Sequence, residues 1–213
     1  VDTNNVLCFP GTQTALFATM MGLTGPGDGV LVGDPFYATY DGVIAASGAH
    51  RQSVPLRPEN GFRLSASDLE DSITPDSRVL LLNSPHNPTG AVLDASAVAA
   101  IGAVCRAHGL WIVADEVYEE LVFDGVFASP FDSPDLADRV IALSSISKSH
   151  AAPGFRSGWA VGPHEFCEKL LPLSETMLFG NQPFIADMTA FALNSDLSTS
   201  AQMRTAYKRL AAL

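Results

Sequence analysis

Along most of the chain, short unbroken apolar runs alternate with stretches whose apolar residues recur every three or four positions. Val6-Leu7-Cys8-Phe9, Gly29-Val30-Leu31-Val32, residues 50–56, Val79-Leu80-Leu81-Leu82, Trp111-Ile112-Val113-Ala114, Arg139 to Leu143 and Trp159-Ala160-Val161 predict strands. Helical patterns occupy 12–23 and 36–47. Another follows Asp94, a capping residue type, and places Val98, Ile101, Val104 and Cys105 on one face. Gly25-Pro26-Gly27-Asp28 and Pro58-Glu59-Asn60-Gly61 punctuate the pattern as turns. From about residue 164 helical patterns take over, the last around Met203 to Leu213.

Strands apolar on both faces, separated by helices, predict an α/β fold with a mostly parallel central sheet and helices on both faces. In such sheets ligands bind beyond the carboxyl ends of the strands. Polar residues gather there four times: Gly11-Thr12-Gln13, Asn83 to Gly90, Asp115, and Ser144 to Lys148. One shared site explains four such ends better than four unrelated loops.

Composition narrows the function classes. The 213 residues are 47% hydrophobic and 16% charged, which suits a packed core and opposes disorder. A net charge of −11 opposes non-specific nucleic-acid binding, since phosphates are repelled. Three cysteines without CxxC or Cys/His spacing argue against a disulfide framework or structural zinc and fit a reducing cytoplasm. No apolar run reaches the length of a membrane span.

The chemistry concentrates in "SSISKSHAAPGFRSGW", residues 144–159, where a buried strand gives way to serines, Lys148 and, eight positions on, Arg156. A lone lysine after a strand is ordinarily a solvated surface group, so the neighbours decide. Thr12 and Gln13 open a helix, where backbone N–H groups and the helix dipole favour a phosphate. Asp115-Glu116 at a strand end suggests a metal site, but no histidine cluster accompanies it, and no metal is expected.

"NSPHNPTG" (83–90), "ADEVY" (114–118) and the 144–159 segment together resemble the class I/II aminotransferases, enzymes of the aspartate aminotransferase fold that use pyridoxal 5′-phosphate. N-P-T-G alone arises by chance about once in 10⁵ start positions, and the other motifs follow in the family's order. The resemblance implies that Lys148 is the amine that condenses with the cofactor aldehyde and then carries the proton, a task suited to a buried lysine near other cations. It implies Asp115 beneath the ring nitrogen, with Tyr118 and Asn87 on the 3′ oxygen. Arg156 would clamp the phosphate, helped by Ser145, Gly11, Thr12 and Gln13. Ser147 either assists or caps a turn. Tyr37 falls where the family stacks an aromatic on the ring, with Phe36 as the alternative. His86 and His150 sit inside the motifs at positions that read as wall or surface.

The same resemblance divides the chain into residues 1–195, the cofactor-binding large domain, and 196–213, the start of a helix leading to a small domain. It places a partner-reaching tyrosine and a substrate-binding arginine outside this sequence. It also implies a homodimer acting on an amino acid and a 2-oxo acid. "NSPHNPTG", "SISKSHA" and "DEVYEELVFDG" are similar to the arginine–pyruvate branch, which implies a basic amino donor. A C–S lyase with the same cofactor and the effector-sensing domain of a transcription regulator are the competing functions.

Overall fold

The computed structural model describes residues 1–178 and 181–212. Seven strands form one sheet: β1 (Val6–Phe9), β2 (Gly29–Asp34), β3 (His50–Pro55), β4 (Ser77–Asn83), β5 (Trp111–Asp115), β6 (Val140–Ser145) and β7 (Gly158–Val161). Their spatial order is β1-β7-β6-β5-β4-β2-β3. The run from β3 through β2, β4 and β5 to β6 is parallel, whereas β7 opposes both β6 and β1. Only β7 is reversed, so the carboxyl ends of β1, β4, β5 and β6 share one edge.

The helices are α1 (Thr12–Leu23), α2 (Tyr40–Ala46), α3 (Ala66–Ser72), α4 (Ala95–Ala107), α5 (Ile146–Ser149), α6 (His164–Leu178), α7 (Pro183–Asn194) and α8 (Ser198–Ala211). Successive side chains of a strand point to opposite faces, so "VLLL" supplies both cores. Val79 and Leu81 pack with Leu16, Met20, Ile44 and Leu170 from α1, α2 and α6. Leu80 and Leu82 pack with Leu69, Val98, Ile101 and Cys105 from α3 and α4. Asp94 caps α4 as expected, accepting from the Ala97 N–H at 2.9 Å, and the Val98, Ile101, Val104 and Cys105 face is buried.

Two elements differ from the sequence reading. The helix expected over 36–47 starts only at Tyr40. Ahead of it the chain makes a turn closed by the Tyr40 N–H on the Tyr37 carbonyl at 3.0 Å; Phe36 lies under the Arg51 guanidinium, 4.3 Å from its ring centroid, and packs against the cluster that buries Tyr40. No apolar periodicity announces α3, because Leu69 is its only buried residue. Its start is fixed by Ser65, which accepts from the Asp68 N–H at 3.1 Å.

The helical carboxyl-terminal stretch resolves into α6, α7 and α8. The last begins at Ser198, ahead of the expected Met203, and Leu213 lies outside the described residues. Among those residues, no helix is long and apolar enough to cross a membrane.

Candidate active site

At the shared carboxyl edge a cavity of about 180 Å³ opens. Thr12, Gln13, Tyr37, Asn87, Asp115, Tyr118, Ser145, Ser147, Lys148 and Arg156 all line it. These residues come from five stretches of chain, and the parallel strands bring them to one place. Gly11, the remaining expected member, lies just beneath: a Cβ there would sit 2.3 Å from Arg156 Nη2. Its φ of +91° also strains any L side chain. Gly158 is needed for a different reason, since a Cβ would come within 2.8 Å of Gly11 Cα and of the Ser144 carbonyl. The β1–α1 loop can therefore seat directly on β6 and β7.

Asp115 ends β5 and is buried. Its carboxylate accepts from the Tyr40 hydroxyl at 2.7 Å and the Val117 N–H at 3.3 Å. Burial raises its pKa, a rise opposed by those hydrogen bonds and by the Lys148 charge. Tyr40 is pushed well above the usual phenol range, by burial first and then by Asp115, so it remains a donor. Behind the cavity, the buried Glu116 accepts from Ser129 Oγ at 2.5 Å. Burial lifts its pKa to about 8, and Glu119, Asp132 and Asp115 add to the rise.

Lys148 sits on the four-residue α5. The expectation of a buried amine is not met, because Lys148 is exposed at the cavity's open side, a consequence of its place on one short turn beyond the strand. Its Nζ lies 5.6 Å from the Tyr118 ring centroid. Ser145 rather than Ser147 performs the capping, accepting from the Ser147 N–H at 3.3 Å, and Ser147 lines the cavity free of that duty. Arg156 adopts left-handed backbone geometry, with φ 52°. Its guanidinium donates to the carbonyls of Pro153 at 2.8 Å and Pro10 at 3.3 Å.

Of the two aromatic candidates, Tyr37 lines the cavity while Phe36 packs against the core. His86 bonds Thr89 through Nδ1 at 2.7 Å, and burial lowers its pKa. His150 bonds the Ser149 hydroxyl at 2.8 Å. Neither histidine lines the cavity.

Tyr40 and Asn83 escaped the sequence reading as site residues. Asn83 accepts from the Asn87 N–H at 2.8 Å and donates to the Asp115 carbonyl at 2.9 Å, tying two loops of the cavity together. The spacing of Tyr40 matches a core aromatic, so only three-dimensional placement reveals its partner. Asn83, the last residue of a strand that is otherwise apolar from Val79, was the readable signal.

Three features suit an anionic, flat ligand bearing a basic ring atom. Thr12 Oγ1 is buried without a hydrogen-bond partner. A guanidinium lies over a glycine at the start of a 12-residue helix. A buried carboxylate waits opposite with only neutral hydrogen-bond donors. Sheet and cavity together define an α/β chain of the aspartate aminotransferase type, and the aspartate aminotransferase of Rhizobium meliloti superposes with a TM-score of 0.94 at 28% identity, over 98% of this chain and 53% of that one.

The chain belongs to the family described as aminotransferase class I and II, whose model matches residues 1–213. It is 46% identical over 209 residues to arginine–pyruvate transaminase AruH of Pseudomonas aeruginosa, covering 98% of this chain and 53% of that protein. N-succinyldiaminopimelate aminotransferase of Mycobacterium tuberculosis matches with a TM-score of 0.90 and 38% identity, over 98% of this chain and 56% of that one. The chain spans about half the length of the curated relatives it matches.

Proposed function

We propose that this chain is the cofactor-carrying unit, residues 1–195 with a segment 196–213 that leads to a small domain, of a pyridoxal 5′-phosphate-dependent transaminase. It moves an amino group from an L-amino acid to a 2-oxo acid such as pyruvate. The observation that carries the reading is the meeting of Lys148, Asp115 and Arg156 around one cavity. The orphaned Thr12 hydroxyl and the arginine-roofed Gly11 fit the cofactor's phosphate, and the buried Asp115 fits its pyridine nitrogen.

When bound, the cofactor supplies an aldehyde that takes up the amine and a ring that accepts electrons. Arg156, Thr12, Gln13, Ser145 and Ser147 would hold its phosphate. Asp115 would keep the ring nitrogen protonated, with Tyr40 holding that carboxylate in place. Tyr118 and Asn87 would bind the 3′ oxygen, and Tyr37 would cover the ring. Lys148 would provide the condensing amine and then move the proton at the substrate carbon.

A basic amino donor is the substrate reading we favour, in line with the similarity to arginine–pyruvate transaminase. A homodimer in the cytoplasm completes the proposal. The dimer's support is α7, an apolar helix with no buried residue, whose Phe184 and Phe191 are 64% and 77% exposed.

The test takes the full-length protein loaded with pyridoxal 5′-phosphate. Lys148→Ala should lose the lysine-dependent absorbance and fall in rate by more than about 10³-fold while staying folded. After one round with an amino donor and no acceptor, the amino group should remain with the cofactor. A cofactor returned unchanged would mean elimination instead, and an unaltered Lys148→Ala rate would end the proposal.

A further inference from the structure

Helix α8 contributes no side chain to the cavity of Lys148, yet three of its side chains make a regular stripe. Ser200, Arg204 and Lys208 are spaced four and eight apart, so all three point from one face of the helix. Ser200 is fully buried and donates to the Ser149 carbonyl, the residue after Lys148. Arg204 Nη1 donates to the Glu120 carbonyl at 2.8 Å and lies 3.7 Å from the Glu120 carboxylate. Lys208 pairs with Asp124.

These contacts grip the two turns that carry the lysine and the tyrosine of the site. Ser149 closes α5, whose backbone bonds include the His150 N–H to the Ile146 carbonyl at 3.2 Å. Glu120 lies in the short turn Glu119–Leu121, which starts from Tyr118 and is closed by the Leu121 N–H on the Tyr118 carbonyl at 2.8 Å. A four-residue helix and a three-residue turn have little internal cohesion, since nucleating helical structure costs more than one bond returns. Their shape must be imposed from outside, and α8 reaches both.

We infer that Ser200 and Arg204 are positioning residues. Through the Ser149 and Glu120 carbonyls they set the separation of Lys148 and Tyr118, now 5.6 Å from amine to ring centroid. The inference rests on the proposed role of Lys148 for its chemical meaning, while the mechanical link stands on the contacts alone. Any displacement of α8 is passed to both residues at once, because one rigid helical face holds both turns.

The experiment compares wild-type full-length protein with Ser200→Ala, Arg204→Met, Arg204→Lys and Thr205→Ala. Thr205 is exposed and bonds only back to the Ala201 carbonyl at 2.9 Å, so it serves as the control on the same helix. In cofactor-free protein, amide hydrogen exchange at His150 and Leu121 should accelerate about tenfold in Ser200→Ala and Arg204→Met respectively, with no change in Thr205→Ala. In loaded protein, the pH midpoint of the Lys148-dependent absorbance should move by about half a unit in both variants, and Arg204→Lys should restore most of it.

A helix that merely docks would lower the melting temperature and leave both readouts at wild-type values; that result overturns the inference. Arg204→Met decides the matter if Ser200→Ala does not fold. Absence of any Lys148-dependent absorbance in the wild type would sink the proposed function, whereas the exchange measurement would still judge the link.

Discussion

The two faces of the sheet and its carboxyl edge are made by the same strands, but they leave their groups in different states. On the faces, alternate residues of β4 such as Leu80 and Leu81 are at most 2% exposed and buried in apolar neighbours. At the edge, the same strand delivers Asn83, and β5 and β6 deliver Asp115 and Ser145, all buried but polar. Thr12 there has no partner, and Asp115 has donors but no close cation. Thr19 Oγ1, Arg139 Nε and His150 Nε2 are unfilled too. What sets the edge apart is that its unmet group belongs to a residue lining a cavity, where a ligand can offset the free energy that unmet buried polar groups cost.

Substitutions at the two regions should therefore fail in different ways. Asp115→Asn should remain folded and lose about 10²–10³-fold in the rate of a single amino-donor turnover, the scale of removing one preorganised electrostatic contact. If single-turnover rates stay at wild-type values, the edge is not the site. Leu80→Ala should do the reverse, costing about 2–5 kcal/mol in urea unfolding while the folded fraction still develops cofactor absorbance.

Tyr40→Phe blurs the comparison, because Tyr40 is a core aromatic with its hydroxyl at the edge. It should cost about 1–2 kcal/mol in turnover or cofactor affinity, from loss of the shorter bond to Asp115, with little change in melting temperature.

The smallest effect concerns Glu116, whose folded pKa of about 8 lies above the ordinary 4.5. Between those values the folded state holds a proton that the unfolded state has released, so this group's contribution to stability falls as pH rises. Glu116→Gln should raise the melting temperature by a few degrees at pH 8 and leave it nearly unchanged at pH 4. Equal shifts at both pH values would mean that the buried acid is not the cause.

How far the sequence disclosed this arrangement follows from the same division. Runs such as "VLLL" and "WIVA" announce buried parallel strands because both faces must be apolar, and the helix over 12–23 agrees with α1 to the residue. The turn at 35–39 did not, since Phe36 and Tyr40 fit a helical period and reach the same core cluster without a helix joining them. Short elements held by single caps, such as α3 behind Ser65, carry too few apolar positions to be read. The meeting of Lys148, Asp115 and Arg156 at one cavity was legible because each ends or follows a strand of the parallel sheet within a quoted motif. Tyr40 was not, as its partner lies 75 positions away. The exposure of Lys148 also depends on how far α5 projects beyond β6, which spacing along the chain does not encode.

The pairing of β1 with β7 ties Val6 to Val161 and Phe9 to Gly158. Within this sheet β1 thus pairs only after β2 to β6 have been synthesised, and its apolar residues meet β7 across a very long loop. The cavity is completed late for this reason: the loop bearing Gly11 finds its seat only when β7 arrives, so a chain cut short of residue 158 would keep its central strands and leave the Gly11–Arg156 corner of the cavity unformed.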